Sequence, residues 1–423
     1  MSYTIEEIKE GIKLHLIDTK KFKTNLISVV ISMPLDRKNV TFNTMIPAVL
    51  KRGTKNLKSQ DEISKKLEEM YGAEFDCGIE KIGDNHILKF YIETLNDNFL
   101  PEKNMGISKE SLDLLFDIIL NPCLEDGLFK EEYVESEKNN IKLLIESKID
   151  NKAAYALNRC VEEMYKDEPY GIYKFGYVED LEGINKENLY ARYKEIINTA
   201  KIDIFFSGNI DKNEIIQYVK ENENIKKLDN RKANIIINTN KEIEEKEVKT
   251  IEDKMDVTQG KLVIGLDVKS SNPDDKFKIA MYNVILGESA TSKLFQNVRE
   301  KASLAYTAGS NYVRQKSNIF IRCGIEIENY EKAVDIIKKQ LEDMKNGDFT
   351  DEDLENAKKY MISGINSVKD EQDSEITYYI GQEMSDKFTS FEEYINEVQK
   401  VTMEDVKNVA NSIAINTVYF LRN

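Results

Sequence analysis

Along this chain the apolar residues alternate between a two-residue and a helical period, and the changes of period divide it into two stretches built alike. Strand patterns occupy 11–18 and 22–33, the second carrying the buried run Leu26, Val29, Val30 and Ile31. An apolar helix is predicted over 43–54, closed by Gly53, and another over 60–70, where Ile63, Leu67 and Met70 share a face. Strands follow over 73–80 and 86–93. Helices fill most of 108–198, one marked by Leu112, Leu115 and Phe116, a longer one by Phe129, Tyr133, Ile141, Leu144 and Ile145. A strand returns over 203–207.

Residues 221–254 are rich in Lys, Glu and Asn and free of aromatics, as an exposed connector would be, with one strand at 233–237. Beyond it the order repeats: a strand over 261–268, helices over 273–286 and 292–302, strands over 305–313 and 318–327. Helices capped by Asn329, Thr350 and Thr402 come next, and a strand over 417–421 closes the chain. A local echo supports duplication, since Lys66-Leu-Glu-Glu-Met-Tyr-Gly-Ala-Glu-Phe-Asp76 sits where Asn297-Val-Arg-Glu-Lys-Ala-Ser-Leu-Ala-Tyr-Thr307 sits later. The predicted organisation is a first domain over 1–225, a connector over 226–253 and a second domain over 254–423.

With 423 residues and 41% hydrophobic content, two such domains can each bury a core. A formal charge of -16 argues against a nucleic-acid partner, whose phosphates call for clustered Lys and Arg. Neither a basic leader followed by an apolar run nor a membrane-length apolar segment is read, so the expectation is a soluble cytoplasmic protein with no membrane partner. Cys77, Cys123, Cys160 and Cys323 show no C-x-x-C spacing, which speaks against a thiolate zinc site or a disulfide framework.

Chemistry concentrates in 287–313. Ser289 or Thr291 can cap a helix whose apolar positions are Leu294, Phe295, Val298 and Ala302, and from Ala305 the period becomes that of a strand. The handover near Leu304 places Arg299 in the last helical turn and Tyr306 at the start of the strand, so a guanidinium and a phenol converge across the turn. Taken alone the pair has a structural explanation, through the helix dipole and β propensity.

The longer string Ser292-Lys-Leu-Phe-Gln-Asn-Val-Arg-Glu-Lys-Ala-Ser-Leu-Ala-Tyr306 resembles the S-R-L-F-x-x-V-R-E-K-x-G-L-A-Y signature of pitrilysin-type zinc peptidases, the insulinase or M16 family. Ser303 stands where that signature has glycine. The resemblance implies an α+β fold of two homologous domains, each a mainly antiparallel sheet of about six strands covered by helices. It also implies that Arg299 and Tyr306 hold a substrate carbonyl beside a zinc bound elsewhere.

Active members carry H-x-x-E-H in the first domain, a few residues before a glycine and a threonine. Counting back from Gly53-Thr54, the histidine, glutamate and second histidine fall on Thr44, Pro47 and Ala48, which offer neither strong zinc ligands nor a base. The family's distal glutamate ligand aligns near Lys142, Leu143 and Leu144, with Glu137 and Glu146 flanking it on what reads as a solvated face. The two histidines, His15 and His86, lie in separate predicted strands and show no second ligand at helical spacing. No metal is therefore expected on this chain.

The resemblance then implies a zinc-less subunit paired with a zinc-bearing M16 subunit, supplying Arg299 and Tyr306 in trans to cleave peptides or unfolded polypeptides; whether the chain alone forms a homodimer is left open by these residues. The alternative is a non-proteolytic interaction subunit that keeps the peptidase fold.

Overall fold

The computed structural model describes residues 2–100, 106–237, 247–269 and 272–423. Two compact units divide the chain, each made of two segments: Met1–Ser147 with Ile172–Ile236, and Lys148–Gly171 with Ile237–Asn423.

The first unit is built on strands β1 (Ser2–Lys9), β2 (Ile12–Asp18), β3 (Thr24–Pro34), β4 (Glu74–Ile82) and β5 (Asn85–Leu95). A two-residue hairpin, β6 (Leu124–Glu125) with β7 (Leu128–Phe129), stands apart, and β8 (Lys201–Gly208) completes the main sheet in the order β1-β2-β8-β3-β5-β4. Neighbours are antiparallel except β2 and β8, which run parallel. Alternate residues Ile27, Val29 and Ile31 face a core shared with the helices α1 (Val40–Leu50), α2 (Gln60–Glu69), α3 (Ile107–Leu120) and α4 (Glu131–Glu146). Val30, Ser28 and Ser32 on the opposite face of β3 are buried too, so both faces of the strand are covered and Val29, Val30 and Ile31 run on without a polar residue between them.

The helix α5 (Lys152–Met164) falls inside the predicted first domain but packs with the second unit. Its Ala156, Cys160 and Val161 cluster with Val263, Phe320, Tyr419 and Leu421. Arg159 holds it there, 3.0 Å from Asp253 and within ion-pair reach of Glu162 and Glu163. The helix α6 (Lys186–Thr199) returns to the first unit, where Leu189 and Ile196 join its core.

In the second unit β9 (Lys249–Lys254), β10 (Gly260–Val268), β11 (Ala305–Val313), β12 (Asn318–Ile325) and β13 (Ile413–Arg422) form a sheet in the order β11-β12-β10-β13-β9. These stand as β4-β5-β3-β8-β2 do in the first, down to the one parallel pair, β9 with β13. The duplication read from the sequence is thus a duplication of topology. Six strands form the first sheet and five the second among the described residues.

Two parts of the connector differ from expectation. Residues 233–237 form no strand, whereas Lys249–Lys254, assigned to the connector, is one. In its sequence Lys-Thr-Ile-Glu-Asp-Lys only Ile251 is a large apolar residue, too little alternation to betray a strand. No helix among the described residues is long and apolar enough to cross a membrane.

Candidate functional site

The turn joining Arg299 to Tyr306 is wider than an α-helix would make it. Ser292, and neither Ser289 nor Thr291, starts the helix: its carbonyl takes the Gln296 N–H at 2.9 Å and its hydroxyl lies 3.5 Å from the Phe295 N–H. Phe295–Lys301 then widens into π-helical turns, a geometry that recurs at functional sites. It closes with Ala302 N–H on Asn297 O at 3.3 Å and Leu304 N–H on Val298 O at 3.1 Å. The first half closes the same way, Ala73 N–H meeting Leu67 O at 3.0 Å.

Between these anchors Ser303 is left-handed, φ 54°, as is its counterpart Gly72, φ 73°. A side chain at such a position costs roughly 1 to 2 kcal/mol, against the roughly 0.5 to 1 kcal/mol of extra unfolded-state freedom that glycine brings. Ser303→Gly is therefore expected to stabilise the chain by about 0.5 to 1 kcal/mol, read as a higher urea midpoint at unchanged slope. A lower midpoint would mean that the turn carries no such strain.

Tyr306 is placed by an irregularity. Ala305 faces Ile325 and Thr307 faces Gly324, so Tyr306 is the extra residue of a β-bulge on the edge strand β11, and bulges re-aim side chains. Its ring is 76% exposed. Arg299 lies over the Phe295 ring at 4.5 Å, and its nearest carboxylate, Glu300 at 3.7 Å, is beyond hydrogen-bond range and exposed, a contact worth under about 1 kcal/mol. Arg299 and Tyr306 line one open concavity of about 380 Å³, with Gln259, Ser303 and Glu326 on its rim. Two donors, neither held by a strong acceptor among the described residues, can thus grip a carbonyl oxygen there.

The positions of the lost motif lie on α1 and are occupied by structural contacts. Thr44 is buried, its hydroxyl 3.0 Å from Val40 O and 3.2 Å from Lys174 O. Pro47 sits in the helix interior, where it lacks the N–H that would meet Asn43, and Ala48 packs on the core. A strap over 173–180 crosses this helix. Thr41 donates to Asp180 at 2.5 Å and accepts the Tyr177 N–H at 3.1 Å, and a Cβ at Gly176 would stand 2.2 Å from the Thr41 hydroxyl.

His86 ties the strap down from the sheet. Its Nε2 donates to Lys174 O at 2.9 Å, which leaves Nδ1 to accept from Asn43 Nδ2 at 3.1 Å, while Arg192 holds Asn43 Oδ1 at 3.0 Å. Burial pushes this imidazole down to about 4, so it is neutral. His15 is equally committed: its ring stacks on Phe205 at 4.2 Å, Tyr3 Oη lies 2.7 Å from Nδ1, and Asp203 lies 3.0 Å from Nε2.

Glu137 does not lie on the solvated face. It is 3% exposed, on the stripe Val134, Glu137, Ile141 and Ile145 that α4 buries, with Arg52 Nε at 2.5 Å and Asn140 Nδ2 at 3.1 Å. The i, i+3, i+4 spacing of that stripe carries the signal for burial, although glutamate is by type a residue of the solvated face. Leu143 and Leu144, where the distal ligand aligns, are exposed, Leu144 lying off the predicted apolar face.

These residues do not fit a zinc ion: the one hydroxyl is bonded to carbonyls, the proline and alanine bring no ligand, and Glu137 is paired with Arg52. The purified chain is expected to hold far less than one zinc per molecule by elemental analysis, and a stoichiometric ion would overturn this.

A family model described as "Peptidase M16 inactive domain" matches residues 183–361. The chain is similar to a Bacillus subtilis protein named "Probable inactive metalloprotease YmfF", 32% identical over all of this chain and 99% of that protein. It is also similar to "Uncharacterized zinc protease YmfH" of Bacillus subtilis, 25% identical over 71% of this chain and 69% of that protein. Among solved structures, a conserved protein from Enterococcus faecalis aligns over all of this chain and 99% of its own, with a TM-score of 0.90 and 25% identity.

Proposed function

This chain belongs to the M16 peptidase family as an inactive member, and on that premise we propose that it is the substrate-binding, metal-free subunit of a two-subunit zinc metalloendopeptidase. A partner bearing H-x-x-E-H supplies zinc and the activated water, and Arg299 and Tyr306 reach its site to hold the scissile carbonyl. The observation that carries this reading is the exposure of Tyr306. A tyrosine kept for packing is buried or bonded, whereas this one is 76% exposed on a bulge beside an arginine with no close acceptor among the described residues. The edge position of β11 suits an extended peptide laid alongside, which binds through main-chain hydrogen bonds and so accepts many sequences.

The test is cleavage of an unstructured peptide by each chain alone and by the mixture. Activity only in the mixture is expected; activity of this chain alone would refute the reading. A second reading, a subunit that keeps the fold without proteolysis, draws on the full-length likeness to a protein named a probable inactive metalloprotease. A stable complex that cleaves nothing would favour it.

A further inference from the structure

The hairpin turn Arg314–Lys316, between β11 and β12, sends its two bases to different surroundings. Lys316 Nζ lies 3.0 Å from Glu168 and over the rings of Tyr165 and Tyr170. The Arg314 guanidinium has no hydrogen bond or ion pair among the described residues, although the residue's carbonyl takes the Ser317 N–H at 3.3 Å. It is half-buried near Tyr312, Tyr378 and Tyr394, and its nearest charged company includes a second cation, Lys276.

Lys276 is equally short of a counter-charge. Its ammonium donates to Thr389 Oγ1 at 2.9 Å and lies 5.1 Å from the centre of the Phe277 ring. Two residues on, Lys278 pairs with both Asp275 at 3.2 Å and Asp405 at 3.1 Å, so carboxylates were available to this surface. Burial, with the repulsion of Arg314 added, brings Lys276 down to about 8. In a protein of net charge -16, two half-buried cations in one cleft, neither in an ion pair with a carboxylate among the described residues, call for an explanation, although Asp386 acts on both and Asp274 on Lys276 from farther off.

Both border one cleft with room of about 90 Å³ for water-sized groups, which Tyr312, Ser317 and Lys387 help to line. Asp274 and Asp386 border it as well, but neither comes within ion-pair distance of Arg314 or Lys276 among the described residues. The space suits a single small group. A guanidinium fork and an ammonium beside hydroxyls match the oxygens of a tetrahedral anion, which would also relieve their mutual repulsion.

We propose that this cleft binds a phosphate group through Arg314 and Lys276. The site stands apart from the Arg299 and Tyr306 concavity, since the strand separating Tyr306 from Arg314 spans roughly 25 Å, and it does not depend on that reading.

Calorimetric titration of the full chain with inorganic phosphate, phenyl phosphate and acetate tests it. Saturable binding of phosphate is expected, weakened at least about tenfold, or about 1.4 kcal/mol, in Arg314→Gln and in Lys276→Gln. Circular dichroism of each variant without phosphate checks that the fold is intact, the expected result where the lost charge had no partner. Phenyl phosphate binding as tightly as phosphate would identify a phosphoryl group borne by a larger molecule; much weaker binding would identify the free anion. Either supports the proposal. Equal affinity for acetate and phosphate, no binding, or undiminished binding in both folded variants overturns it.

Discussion

Tyr306→Phe, measured in a complex with a zinc-bearing partner, is expected to lower kcat by roughly 10² to 10³ while leaving KM and complex formation nearly unchanged. The size follows from what is removed. A donor aimed at charge that develops in the transition state is worth about 2.7 to 4 kcal/mol in a water-excluded site, and the ring that carries it stays in place. The split between kcat and KM follows from timing, because the ground-state carbonyl needs the hydroxyl less than the developing oxyanion does. Since Tyr306 is 76% exposed and sits on a bulge outside the ladder register, the substitution breaks no contact of the isolated chain, and its thermal midpoint should not move. Parental turnover in the substituted complex would remove Tyr306 from the site. A loss of assembly would make it an interface residue instead.

What the sequence disclosed about this fold is what depends on repeated local pattern. The order helix, turn, strand around Gly72 and again around Ser303 was legible because the left-handed turn and the strand after it recur at the same distance from an apolar helix, and both halves close the turn with the same wide hydrogen bond. The likeness of the two sheets could be anticipated from that duplication, but the order of strands within them could not. Features that depend on a single residue's surroundings were not legible. The bulge at Tyr306 needs the register of β12, and the widened turns of Phe295–Lys301 share an apolar spacing with an ordinary helix. The packing of α5 with the second unit has no local signature at all, since its Ala156, Cys160 and Val161 would suit any apolar face. Glu137 shows the opposite failure: its place on the buried stripe of α4 was written in the sequence, but the partner that makes burial tolerable, Arg52, belongs to the end of another helix.

The strap over α1 carries a second large expected effect, a loss of stability in mild acid traceable to His86. In the folded chain burial holds this imidazole at about 4, against 6.5 for an ordinary histidine, so between those values the unfolded chain takes up a proton that the folded one refuses. Stability from this group is fully present above about 6.5 and drains away as pH falls toward 4. At roughly 1.4 kcal/mol per unit, the loss approaches about 2 kcal/mol at pH 5 and about 3 kcal/mol at the lower limit. Urea unfolding at pH 7.5 and pH 5 measures it, and His86→Gln should flatten that part of the slope whatever it does to stability at neutral pH. With only two histidines in the chain, their ring resonances can also be followed directly, and a midpoint for His86 near 6.5 would contradict the assignment. Protonation also removes the Nδ1 acceptor that Asn43 uses while keeping the Nε2 donor to Lys174. Asn43 is on the helix that bears Thr44, so acid should loosen the helix side of the strap first, and amide exchange in 173–180 should quicken before the sheet beneath it opens.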